Sequence, residues 1–290
     1  MVDARLPDGS RVNIIIPPLA PRSAVITIRK FRQDRLTIED LVSIGTMPET
    51  VATLLAGCVR AKLNIVVSGG TGSGKTTLLN ALSAYLPHTE RIVTIEDPLE
   101  LKLQQRHVVP LEARPASLEG KGEVTQRDLL RNTLRMRPDR IIIGEVRGPE
   151  ALDMLQAMNT GHEGSMTTVH ANSPRDALRR IENMVSMAGL QYPVHVIRDQ
   201  MSSTLDLLIQ VSRLTGGRRK VVSIVEINGM ERDVILMQEL FQFRQTGIDG
   251  DGHAIGTFEA CGVRPRLLDR MVKEGLEVPA GIFQKRRITA

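Results

Sequence analysis

A chain of 290 residues, 41% of them apolar, can build either one large α/β domain with an appendage or two domains, and it excludes intrinsic disorder. Aromatic residues are only 2%, too few stacking platforms for a reader of unpaired bases. The net charge of +5 suits anionic partners without choosing among them, no apolar run reaches the roughly eighteen residues of a membrane span, and Cys58 and Cys261 form neither a CxxC pair nor a disulfide framework, which points to a reducing compartment.

Residues 1–36 read as the remnant of an N-terminal domain. Two β-like runs, RVNIIIPP and SAVITIRKF, flank a proline-rich turn and bury too little to fold alone. Thr37 to Asp40 offers a capping-box start, and Val51, Leu54, Leu55 and Cys58 recur at helical spacing through Leu63. From Asn64 to Val169 four short apolar runs, NIVVSG, RIVTIE, RIIIGE and SMTTVH, alternate with helical stretches. That is the pattern of a parallel sheet with crossover helices, which binds ligands beyond the carboxyl ends of its strands. Ser173-Pro174 opens another helix with a cap residue and a first-turn proline. Beyond Leu205, DLLIQVSR, RKVVSIVEIN and DVILMQELFQF read as strands, with a hairpin signal at Gly216-Gly217; a second hairpin, GIDGDGHAIG, and a short helix follow. The expected division is therefore 1–36, 37–204 for an α/β P-loop core, and 205–290 for a β-rich and helical C-terminal part.

GGTGSGKT, from Gly69 to Thr76, fits G-x-x-x-x-G-K-[ST] between a strand and a helix. In such a loop the backbone N–H groups of Gly70, Thr71, Gly72, Ser73 and Gly74 turn inward around phosphates, and the helix opening with Lys75, Thr76 and Thr77 presents its positive end. Lys75 is expected to reach the β- and γ-phosphates of ATP, and the Thr76 hydroxyl to ligate Mg²⁺. Hydrolysis also needs carboxylates, and two strand ends supply them: RIIIGE carries Glu145, and RIVTIEDPLE carries Glu96, Asp97 and Glu100. Glu145 is assigned to magnesium, directly or through water, and Glu96 to the attacking water. His162 and His170 flank SMTTVH without the third ligand that zinc wants, so His170 is read as a γ-phosphate sensor or an organiser of Glu145.

Together these motifs resemble the secretion and pilus ATPases of the type II/IV secretion superfamily, in particular the CpaF/TadA branch that powers tight-adherence (Flp) pili. GGTGSGKTTLLNAL is similar to the family's Walker A, RIVTIEDPLEL to its Asp box, LRMRPDRIIIGEVRG to its Walker B and TGHEGSMTTVHA to its His box. DARLPDGSRVNIIIPP with ITIRKF resembles the end of its N-terminal domain, so the likeness spans nearly the whole chain. The resemblance implies a RecA-like P-loop ATPase that works as a homohexamer, holding nucleotide between an N-terminal α+β domain, here partial, and the C-terminal domain. Carried over by position, Lys75 and Thr76 hold phosphates and Mg²⁺, Glu96 is the general base, Glu145 the Walker B carboxylate, and His170 part of the His box. The family also uses arginines to neutralise phosphate charge; Arg11 and Arg29 occupy the N-terminal segment and Arg135, Arg137, Arg140 and Arg147 flank Walker B, of which Arg29 and Arg137 are singled out. Relatives carry a longer N-terminal region, so the chain reads as a truncation, a fragment or a minimal version. The implied function is a cytoplasmic motor, peripheral to the bacterial inner membrane, that drives Flp/Tad pilus assembly or type II/IV secretion through platform proteins. A VirB-type type IV secretion ATPase is the alternative, and a nucleic-acid translocase ranks lower. The basic tail QKRRITA offers a contact for anionic lipid.

Overall fold

The computed structural model describes every residue except 31–34, 118, 289 and 290. It divides into two compact units, Met1–Arg35 and Leu36–Ala290. The smaller is a three-stranded antiparallel sheet of β1 (Val2–Arg5), β2 (Arg11–Ile15) and β3 (Val25–Arg29), in that order. Its first strand is only four residues long and exposed throughout.

The larger unit opens with α1 (Ile38–Ser43), where the capping box forms: the Thr37 hydroxyl accepts from the Asp40 N–H and the Asp40 carboxylate from the Thr37 N–H. α2 (Glu49–Arg60) buries Val51, Leu54, Leu55 and Cys58, the stripe expected at helical spacing. Then come β4 (Ile65–Gly69), α3 (Lys75–Ser83), β5 (Ile92–Glu96), β6 (Val108–Glu112), α4 (Gln126–Thr133), β7 (Arg140–Ile143), α5 (Glu150–Asn159), β8 (Met166–His170), α6 (Pro174–Ser186) and α7 (Val194–Thr204). The chain continues through β9 (Leu207–Arg213), β10 (Arg219–Glu231), β11 (Val234–Ile248), β12 (Ala254–Ala260), α8 (Leu267–Lys273) and β13 (Arg286–Ile288).

Ten strands form one sheet in the order β13-β12-β11-β10-β9-β4-β8-β7-β5-β6. From β9 to β6 neighbours run parallel; from β9 to β13 they run antiparallel. Residue 205, the expected start of the C-terminal part of the ATPase domain, falls just before β9, which joins the sheet beside β4. β6, missing from the sequence reading, contains Pro110, which an edge strand tolerates because one side of its ladder has no partner. Alternate residues of the central strands feed two cores. Ile65 and Val67 pack with α1, α2, α3 and α8, whereas Val66 packs with α4 to α7. The result is a helix–sheet–helix sandwich whose central strands are buried on both faces, as their unbroken apolar runs demand.

Two buried polar braces hold the amino end of the sheet. The Asn64 amide donates to the Thr204 carbonyl at 2.8 Å, its oxygen accepts from the N–H groups of Gly164 and Ser165, and its own N–H donates to Asp206 at 2.7 Å. Asn64 therefore ties the starts of β4, β8 and β9 together. Arg140, fully buried, donates to Glu90 at 2.7 Å and to the carbonyls of Val59 and Gly164. A guanidinium this deep is tolerable only with such complete pairing.

Candidate active site

The carboxyl end of β4 runs directly into the loop 70–74 and then α3. Gly74, the residue before the helix, has φ 101°, a left-handed conformation that a side chain would strain, and it supplies no capping side chain. The first N–H groups of α3 are therefore left without a side-chain acceptor, and the helix dipole adds a partial positive charge of about half a unit there. A Cβ on Gly70 or Gly72 would meet no atom within 4 Å, so the loop lies open on that side. Ser73 is buried and braces the loop from within, its hydroxyl donating to the Gly70 carbonyl at 2.9 Å. Gly69 cannot be replaced: a Cβ there would collide with the Ser73 hydroxyl and the Val211 carbonyl.

Lys75 is 6% exposed and its Nζ donates to the Gly70 carbonyl at 3.1 Å. His170, the last residue of β8, brings Nε2 to 2.9 Å from Glu145 Oε1 and 3.3 Å from Lys75 Nζ. One ring nitrogen cannot donate to the carboxylate and accept from the ammonium together. The shorter contact identifies Nε2–H as the donor to Glu145, leaving Lys75 as a close neighbour. Glu145, two residues past β7, shares its second oxygen with Arg147 at 2.7 Å. Burial, opposed by Glu145, holds the Lys75 ammonium below its usual range, with Arg147 and Arg180 pushing the same way. Burial and then the Lys75 charge likewise push His170 down, so its imidazole is neutral at physiological pH. Cations that disfavour one another beneath an uncapped helix end have the electrostatics of an anion site. Glycine openness, helix amides and Lys75 all fit a bound triphosphate.

Glu96 ends β5, and Glu145 lies two residues past β7, the strand that pairs with β5. Glu96 is 2% exposed and its Oε2 accepts from the N–H groups of Glu100 and Leu101 at 2.7 and 2.8 Å. Burial raises its pKa, the two amides opposing. Glu96 thus anchors the turn after β5 through one oxygen and lies close to Gly144, while its Oε1 is buried without a hydrogen-bond partner among the described residues. Two carboxylates of this turn, Asp97 and Glu100, favour the Arg147 guanidinium by their charge, and Glu100 favours the Lys75 ammonium as well. Strand periodicity reached Glu96 and stopped there, because it says nothing about how the following turn folds back.

The arginines separate by sheet end. Arg137 precedes β7, at the amino end of a strand parallel to β4, so it stands on the opposite edge from this chain's own phosphate loop. Arg140 is consumed by its ion pair with Glu90. Arg29 lies on β3 of the smaller unit. Sequence reasoning missed Arg219: the first residue of β10, it donates from Nε to the Gly72 carbonyl at 2.9 Å. Only the pairing of β9 with β4 brings the 214–218 turn over the loop, so no local signal in GGRRK could have revealed it. Thr76 and Thr77 occupy the first turn of α3, half-buried, beside Lys75.

The family model described as "Type II/IV secretion system protein" matches residues 1–247. A Mycobacterium tuberculosis protein named for conjugal transfer is 41% identical over 221 residues, 76% of this chain and 62% of that one, so the chain spans less than two thirds of that relative's length. The conjugal transfer protein TrbB of Rhizobium radiobacter is 36% identical over 233 residues, 79% of this chain and 68% of that one. Among solved structures, the VirB11 ATPase of the Brucella suis type IV secretion system, in complex with sulphate, superposes with a TM-score of 0.54 at 33% identity, covering 77% of this chain and 75% of that one.

Proposed function

The chain belongs to the type II/IV secretion system protein family, and we propose that it is an ATP-hydrolysing motor of the conjugal-transfer and VirB11 type, working as a homohexamer at the cytoplasmic face of the inner membrane. The observation that carries the reading is the cluster of Lys75, His170, Glu145 and Arg147 beneath the uncapped start of α3. Loop amides and Lys75 hold the β- and γ-phosphates of the substrate, and Arg219, released from the Gly72 carbonyl, adds positive charge on the exposed side. Thr76 and Glu145 are the residues that would hold Mg²⁺, which when bound neutralises charge on the phosphate oxygens.

Glu100 orients the attacking water, and Glu96 holds the turn that presents it. Neutral His170 keeps Glu145 in place and stands next to Lys75, where it senses the γ-phosphate. Arg29 is proposed, on the family resemblance alone, as a cation that neutralises phosphate charge. Among the described residues no helix is long and apolar enough to cross a membrane, so coupling to transport would pass through platform proteins. A second reading, Flp/Tad pilus assembly, draws on the run GGRRKVVSIVEINGMERDVILMQELF that builds the long β10–β11 hairpin.

The division of labour between the two carboxylates is tested by phosphate release at saturating MgATP. Glu100→Gln should lower turnover by about a hundredfold or more, the range of general-base contributions, while Glu96→Gln should cost far less. The opposite ranking would return the water-directing role to Glu96. Stimulation of turnover by DNA, lost steeply with added salt, would favour a nucleic-acid translocase instead.

A further inference from the structure

Gln210 of β9 is the register partner of Ser68 in β4, one residue before the glycine that opens the phosphate loop. Both side chains lie on the face that Val66 and Leu208 give to the core of α4 to α7, and both are buried, Gln210 at 2% and Ser68 at 0% exposure. Gln210 Nε2 donates to the Ala171 carbonyl at 3.1 Å. Because β9 and β8 flank β4 on opposite sides, that bond reaches across the strand under the phosphate loop to the residue after His170. Gln210 Oε1 and Ser68 Oγ have no hydrogen-bond partner among the described residues. An unpartnered buried acceptor destabilises a fold, and an apolar side chain of the same length would fill the position without that cost.

We propose that Gln210 is a positioning residue for His170: its one donated bond pins the backbone just past β8 so that the imidazole stands between Lys75 and Glu145. The inference rests on the assignment of His170 to the hydrolytic site. β8 ends at His170, and the cap of α6 is local, with the Ser173 hydroxyl accepting from the Asp176 N–H. Between these two anchors the Ala171 carbonyl is held by Gln210 alone among the side-chain bonds described. A displacement of well under an ångström at His170 would misplace a group whose contacts are 2.9 and 3.3 Å long.

Gln210→Met keeps the side-chain length and removes both the donor and the orphan acceptor. Its thermal midpoint should equal or exceed that of the parent, and its Kd for a non-hydrolysable ATP analogue should stay within about twofold, while kcat falls about tenfold or more, as for other residues that orient catalytic groups. His170→Ala should lower kcat as well, and adding Gln210→Met to it should cost nothing further, because the two act through one element. If Gln210→Met does not fold, Gln210→Leu, which also lacks the donor and leaves no unpaired acceptor, is measured in its place with the same expectation for kcat. Unchanged kcat, or the same fold-loss with and without His170, overturns the proposal. Full turnover in His170→Ala would instead overturn the assignment of His170 and the proposal with it.

Discussion

Asn64 lies at the amino end of β4, a strand's length from the phosphate loop, yet it fixes the strand that carries the loop. Its side chain satisfies the Thr204 carbonyl and the N–H groups of Gly164 and Ser165, so Asn64→Ala strands several buried backbone groups at once. A loss of about 2–3 kcal/mol in urea denaturation is expected, against a few tenths for a surface asparagine. Gly69→Ala should be worse placed still, since the new Cβ would drive against the Val211 backbone as well as Ser73. At this scale the sequence made some roles legible and hid others. Lys75 and Thr76 follow from spacing, because a phosphate loop is local in the chain. Glu145 follows from its strand. Arg137 precedes β7 at the amino end of its strand, and which end of the sheet a residue reaches depends on strand polarity that no local pattern encodes. Arg219 depends on β9 lying beside β4, a contact between segments roughly 150 residues apart.

The turn after β5 is the element on which the carboxylate assignment depends. Glu96 anchors it from a buried position that raises its pKa above the ordinary glutamate value of 4.5. The folded state therefore binds that proton more tightly than the unfolded chain, so the stability gained is full below about pH 4.5 and is lost as pH rises through the folded value. Relative to the parent, Glu96→Gln should gain stability as the pH is raised from 5 to 7.5, read from urea midpoints at each pH. Midpoints that move in parallel would mean that the carboxylate is not destabilised by burial. The parallel strands β4, β5 and β7 were readable because burial on both faces writes a nearly continuous apolar run, whereas β8, with Thr167 and Thr168, was read from its β-branched residues and position in the alternation. β6 was not, because Pro110 and its half-exposed edge erase that signature.

Across the whole molecule the sheet joins a parallel half that carries chemistry to an antiparallel half that reaches back over the loop. The β9–β10 turn is itself gripped by the turn before β12, where His253 Nδ1 meets the Gly216 carbonyl at 3.0 Å and Arg218 lies 3.7 Å from Asp249. Light scattering with a non-hydrolysable ATP analogue should detect a sixfold particle, and a monomer persisting at all concentrations would contradict the hexamer proposal. The central claim, that a triphosphate is held and cleaved beside Lys75, is tested most directly by steady-state phosphate release from MgATP with the parent chain and Lys75→Ala. The account predicts turnover in the parent and a fall of about a hundredfold or more in the variant, with its fold intact by circular dichroism. Equal turnover in both proteins would contradict it.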